Sequence, residues 1–225
     1  MVPDISGSLL DEFTLFSQYS AAANCRANHN GSTPQCGADV QLPVYCDPGK
    51  CPDLEVADTV IVDRIEQYVS LPPCMRFQLQ GKALFLTYKQ TQCSLKPGDT
   101  HGYLAVDHTN ELIVLSFRGT ESFSNSVADV WAFQVDVTGF QACDGCRAHR
   151  GFWDAYQAAS ECLMPQVKAL STLYPTYRIA VTGHSLGGAL ATLGAAMLRN
   201  EGYIVDLVCT LPSISYKYSV DHSAD

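Results

Sequence analysis

The chain carries little positive charge: 14 Lys and Arg stand against 23 Asp and Glu, for a net charge of −9. A surface of that sign disfavours a nucleic-acid backbone or an anionic membrane as partner. No apolar run approaches the length of a membrane span, which excludes a transmembrane segment from these residues. Internal repeats and low-complexity tracts are lacking too, so the 225 residues, 47% of them hydrophobic, read as one domain with a sizeable core. The start, Met1-Val2-Pro3-Asp4-Ile5-Ser6, has neither the basic n-region nor the apolar h-region of an export signal. Such a signal is expected to have been trimmed or to lie upstream, because the cysteine content points outward. Ten cysteines in this length are many for a reducing compartment, and Asn30-Gly31-Ser32 is a glycosylation sequon. An extracellular location is the expectation. No second C-x-x-C accompanies Cys143-Asp144-Gly145-Cys146, so neither a metal nor a cofactor is expected.

Apolar residues at Phe13, Phe16, Tyr19, Ala22 and Ala23 predict a helix over 9–25. Residues 25–52, rich in Gly, Pro and Asn with four cysteines, read as a cross-linked loop. Two β-runs, Gly102–Val106 and Leu112–Phe117, flank a turn at 107–110 and predict a hairpin. Phe152, Tyr156, Ala159, Leu163, Val167 and Leu170 recur at helical spacing and predict a long helix, kinked at Pro165, that stops near Tyr174-Pro175. Residues 203–208 read as a further strand. The segment 60–83, with its Pro72-Pro73 pair, Cys74 and no clean period, reads as an inserted loop. Strands alternating with helices define an α/β domain with a mostly parallel central sheet and flanking helices.

The most informative stretch is Gly183-His184-Ser185-Leu186-Gly187-Gly188. A random chain of this length holds about 0.07 G-x-S-x-G matches, so the pattern gains its weight from its setting. Arg178–Thr182 before it reads as a buried strand and Gly187–Asn200 after it as a helix ending near Gly202. That is a nucleophile elbow, in which a sharp turn pushes the serine hydroxyl out of the sheet, between glycines where a Cβ would collide with a neighbour.

These motifs together resemble the class 3 lipases of filamentous fungi, secreted α/β-hydrolases that include triacylglycerol lipases and feruloyl esterases. Phe16–Ala23 resembles the family's first helix, Leu115-Ser116-Phe117-Arg118-Gly119-Thr120 its oxyanion strand, and Cys146–Phe152 the entry to its long helix. The resemblance implies Ser185 as nucleophile. The backbone N–H groups of Leu186 and Thr120, with the Thr120 hydroxyl, would be oxyanion donors. A lid over 121–131 is implied, with Glu121, Asn125, Ser126, Val127, Asp129 and Trp131. Ser126 stands where the lipases carry tryptophan, so strong interfacial activation is not expected. Disulfides Cys46–Cys51 and Cys143–Cys146 are implied. No partner is assigned to Cys25, Cys36, Cys74, Cys93, Cys162 or Cys209. His184 and His149 are expected to be buried, hydrogen-bonded structural residues.

The resemblance breaks near Leu207. The family's catalytic Asp and His lie beyond that point, and 208–225 read as an unrelated tail, so the domain is expected to be C-terminally truncated and inactive as it stands. Val208-Cys209 can be encoded by GTATGT, a splice-donor sequence, so the tail is expected to be translated intron; 60–83 would be a second retained piece. The expected activity is hydrolysis of carboxylic esters, foremost triacylglycerols at an oil–water interface, by a monomer through a serine acyl-enzyme. Feruloyl esters of plant walls, and a non-catalytic lipid-binding role, are the alternatives.

Overall fold

A computed structural model describes residues 6–29, 42–65, 74–79, 82–87, 100–119, 133–141, 143 and 145–210. In chain order the elements are α1 (Gly7–Ala22), α2 (Arg26–His29), β1 (Leu42–Pro43), α3 (Pro52–Val56), β2 (Thr59–Ile65), β3 (Cys74–Leu79), β4 (Lys82–Thr87), β5 (Gly102–Asp107) and β6 (Leu112–Phe117). They continue as β7 (Gln134–Asp136), β8 (Arg147–His149), α4 (Arg150–Leu173), β9 (Arg178–His184), α5 (Leu186–Asn200) and β10 (Val205–Thr210).

Six strands form the central sheet in the order β1-β2-β5-β6-β9-β10. The sheet is mixed. The pairs β1–β2, β2–β5 and β5–β6 are antiparallel, while β6–β9 and β9–β10 are parallel and joined through α4 and α5. The expected hairpin is β5–β6, with Gly102 opposite Phe117 and Asp107 opposite Leu112.

Alternation along the strands splits the core in two. Leu104, Val106, Ile113, Leu115, Phe117, Ile179 and Val181 face α4 and α5, where they meet Tyr156, Leu163, Leu170, Leu190 and Leu198. Tyr103, Ala105, Leu112, Val114 and Ala180 face α1, where they meet Phe16, Tyr19, Ala22 and Ala23. The alanines on both sides let α1 lie close to the strands. Close approach lets strand side chains bond helix carbonyls: Tyr103 Oη and Ser116 Oγ donate to the Tyr19 carbonyl at 2.8 and 3.0 Å, and Thr182 Oγ1 to that of Phe16 at 3.2 Å. The Tyr19 phenol donates in turn to the buried Asp107, whose carboxylate also accepts from the Thr109 and Asn110 amides at the hairpin turn.

These buried phenols predict alkaline lability. Burial pushes Tyr19, Tyr103 and Tyr156 far above the usual tyrosine range, with the neighbouring Asp107 adding to the effect on Tyr19. In the unfolded chain the same phenols ionise near pH ~10. Above that pH the folded state binds more protons than the unfolded one. Stability is therefore complete below pH ~10 and falls as pH rises, by about 1.4 kcal/mol per pH unit for each such tyrosine. Urea-unfolding midpoints across this range check it, and a midpoint constant from about pH 9 to about pH 11 contradicts it.

Two boundaries differ from the sequence reading. The segment 60–83 does not begin as an insertion, because Thr59–Ile65 is a strand of the central sheet paired with β5. Its register shifts between Ile61 and Asp63, so the extra residue Val62 breaks the period of two that marks a strand. Ile61 packs toward the α1 side and Val62 toward the α4–α5 side. The hairpin β3–β4 forms a separate two-stranded sheet. At the other end β10 continues past Leu207, pairing Val208, Cys209 and Thr210 with Thr182, Gly183 and His184. The long helix α4 continues through Pro165.

Candidate active site

The site is built where β9 ends. Ser185 links β9 to α5 with φ 58° and ψ −121°, in the left-handed half of the backbone map that side-chain-bearing residues avoid. A conformation of this kind costs on the order of 1–3 kcal/mol and persists only where the surroundings enforce it. The surroundings do so through glycines. A Cβ on Gly183 would run into the Gly187 carbonyl and come within 2.9 Å of the Gly188 nitrogen. One on Gly187 would overlap the Phe117 carbonyl oxygen and lie 2.9 Å from the Arg118 carbonyl carbon. Helix α5 thus starts flush against the end of β6.

That contact brings the other wall to the serine. Phe117 is paired with Gly183, so the chain leaving β6 passes beside the elbow. A Cβ on Gly119 would sit 3.4 Å from Ser185 Cβ and 2.8 Å from the His184 carbonyl oxygen. The backbone after Phe117 can approach Ser185 this closely because residue 119 has no side chain. Leu186 opens α5, so its N–H is one of the helix's first amides, which lack an intrahelical acceptor and point outward from the positive end of the dipole. A negative charge forming on an oxygen near Ser185 would meet this donor. Ser185 is only 7% exposed, and its Oγ has no hydrogen-bond partner among the described residues.

Ser185, Leu186, Gly119 and the end of β6 therefore converge. Thr120 and the lid residues Glu121, Asn125, Ser126, Val127, Asp129 and Trp131 lie outside the described residues, as do Asp221 and His222. Both expected disulfides are formed: Cys46–Cys51 with Cα atoms 5.9 Å apart and Cys143–Cys146 at 5.6 Å. Cys25 is a free thiol, pushed up by burial.

The two histidines depart from expectation. His184, the last residue of β9, is exposed rather than buried. His149 caps α4 half-buried, its ring 4.7 Å from that of Phe152, and its Nδ1 has no hydrogen-bond partner among the described residues. The helix-cap position and the ring contact account for it without a hydrogen bond. Sequence reasoning gave no role to Arg118 or Gly119. An Arg-Gly pair at the end of an unbroken apolar strand, before the oxyanion residue, was the available signal.

The order of strands, the crossover helices and a strained serine between β9 and α5 define an α/β-hydrolase fold with a nucleophile elbow. Residues 114–212 match the family described as Lipase (class 3). The secreted mono- and diacylglycerol lipase A of Penicillium cyclopium is 34% identical over 200 residues, covering 89% of this chain and 53% of that protein. The secreted mono- and diacylglycerol lipase 1 of Fusarium solani is 30% identical over 201 residues, covering 88% and 47%. A crystal structure of the mono- and diacylglycerol lipase from Aspergillus oryzae superposes with a TM-score of 0.63 at 31% identity, covering 90% of this chain and 61% of that one. The chain belongs to the class 3 lipase family, and it spans about half the length of the curated relatives it matches. The family match extends to residue 212, past the point where the motif resemblance was placed.

Proposed function

We propose that the protein is a secreted serine ester hydrolase that cleaves acylglycerols, with mono- and diacylglycerols preferred over triacylglycerols. The observation that carries this reading is the strained Ser185 seated between the first amide of α5 and the glycine wall at 119. Ser185 Oγ attacks the ester carbonyl carbon, and the carbonyl oxygen becomes an oxyanion held by the N–H groups of Leu186 and Thr120. Collapse breaks the bond to the glyceride oxygen, which leaves with a proton, and water then releases the fatty acid from the acyl-serine. The Ser185 proton passes to a general base, and none of the described residues is bonded to Ser185 Oγ.

Motif resemblance alone pointed to triacylglycerols. The names of the Penicillium and Fusarium relatives favour the partial glycerides. The ten cysteines, with two bonded pairs among the described residues, favour an extracellular protein, and we place it there as a monomer. The reading of 121–131 as a lid with serine at 126 favours weak interfacial activation.

The test is fatty-acid release from dioleoylglycerol and from trioleoylglycerol by the purified protein. Faster release from the diester is expected. Equal or faster release from trioleoylglycerol would sink the preference, and no release from either would sink the activity.

A further inference from the structure

The hairpin β7–β8 has little of its own to hold it. Each strand is three residues long, and the two form a separate two-stranded sheet. An isolated hairpin of this kind is marginal in water. The Arg147–Asp136 ion pair at 3.5 Å lies in solvent, where such pairs contribute little. Val135, Val137 and Ala148 give the hairpin part of an apolar face against the core under α4 and α5.

Two devices at its loop end make up the difference. The first is covalent. Val137 N–H donates to the Cys146 carbonyl at 2.8 Å, and beyond that last rung Cys146 is bonded to Cys143. The second is a latch from the end of α5. Asn200 Oδ1 accepts from the Gln141 amide at 2.7 Å, and Nδ2 donates to the Gly139 carbonyl at 2.8 Å. Phe140, between those two residues, packs against the core.

The two disulfides differ in what surrounds them. Cys51 is fully buried, in the same apolar cluster as Leu54, Phe16 and Tyr19. A thiolate attacking Cys46 would have to expel Cys51 as a thiolate into that cluster, where charge is disfavoured. Bonds from Lys50 N–H to the Asp47 carbonyl and from Gly49 N–H to the Glu55 carboxylate also fix the turn between the two sulfurs. Cys143 and Cys146 are both half-buried, so either can be attacked and either can leave toward water.

We propose that Cys143–Cys146 is a redox-sensitive clasp on the hairpin, and that Asn200 sets the threshold at which it opens. The clasp closes in an oxidising compartment and is opened by a dithiol. One thiolate of the dithiol attacks Sγ of Cys143 or Cys146 and forms a mixed disulfide, and the other cysteine leaves as a thiolate. The second thiol of the reductant then displaces the remaining cysteine. Two electrons pass to the protein, which holds two thiols, and the reductant ends as a disulfide. The strands then lose their covalent end and fray from the loop back toward Phe133. Latch and disulfide favour the same loop arrangement, so each strengthens the other by the same factor. None of this depends on Ser185.

The test equilibrates the full chain, its free thiols first blocked with N-ethylmaleimide, with graded ratios of reduced to oxidised dithiothreitol. Newly released cysteines are alkylated and mapped by mass spectrometry, and hydrogen exchange is followed in parallel. Cys143 and Cys146 are expected to open at a ratio at least ~10-fold lower than Cys46 and Cys51. At that ratio the amides of 133–137 and 146–149 are expected to exchange faster, while those of β9 and α5 keep their rates. Asn200→Ala is expected to lower the opening ratio roughly three- to tenfold, the worth of the latch bonds. Opening of both disulfides together, or of Cys46–Cys51 first, overturns the proposal. So does selective opening that leaves exchange at 133–149 unchanged. An opening ratio that stays put in Asn200→Ala overturns the role of Asn200; if that variant does not fold, Asn200→Ser decides it.

Discussion

Alanine in place of Ser185 is expected to remove ester hydrolysis almost entirely, by a factor on the order of 10⁶ in kcat, as in other serine hydrolases that lose the nucleophile alone. The magnitude follows from the site. Without Oγ there is no nucleophile and no acyl-enzyme to form. The fold should not suffer. Ser185 Oγ makes no hydrogen bond among the described residues, so its removal leaves no partner stranded. The left-handed backbone at 185 is set by Gly183, Gly187 and the end of β6 rather than by the serine side chain. Parallel measurement of fatty-acid release and thermal unfolding checks both halves. A Ser185→Ala protein that keeps more than about a thousandth of the rate is not working through this serine.

The second large effect is on stability. Gly187→Ala is expected to cost about 3 kcal/mol, the upper part of the range for an added methyl in a packed interior. For a domain of this size that lowers Tm by roughly 6–12 °C. The new Cβ meets carbonyl atoms of Phe117, the last residue of a central strand, and of Arg118 just after it, and backbone atoms cannot rotate away as a side-chain tip could. Either α5 lifts from β6 or the end of β6 bends, and both moves shift Leu186 relative to residue 119. Gly7→Ala is the matched control, because nothing lies within 4 Å of its Cβ position and it sits at the first residue of α1. That change should be neutral or slightly stabilising. Similar unfolding temperatures for the two variants would show that the elbow yields more easily than its contacts imply.

What the sequence disclosed depended on whether a feature was periodic or local. The β5–β6 hairpin, α4 and the β9–Ser185–α5 turn were legible because each carries a strong period or a fixed motif. The order in which β2, β5, β6 and β9 line up was not, since pairing between distant strands leaves no local trace. β2 was hidden by its bulge at Val62, and the last two residues of β10 by a change of sequence character at Val208 that the backbone ladder ignores. The disulfides came from family resemblance and not from spacing. The histidines were misplaced because residue type alone does not tell a strand's exposed last position, as at His184, from an interior one. Arg118 was visible as a letter in a motif, but its side chain turns back to the Gly119 carbonyl, which no spacing rule encodes.

The bonds that hold α1 set a timetable for synthesis. Thr182 reaches the carbonyl of Phe16 across 166 residues of sequence, and Ser116 reaches that of Tyr19 across 97. At ordinary translation speeds the ribosome needs roughly 10–30 s to lay down the stretch between Phe16 and Thr182. Through that interval the first helix has left the exit tunnel with Phe16 and Tyr19 uncovered, waiting for a strand still to be made. The nascent chain therefore offers a trigger for chaperone capture at α1, and the release of that chaperone should coincide with the emergence of β9.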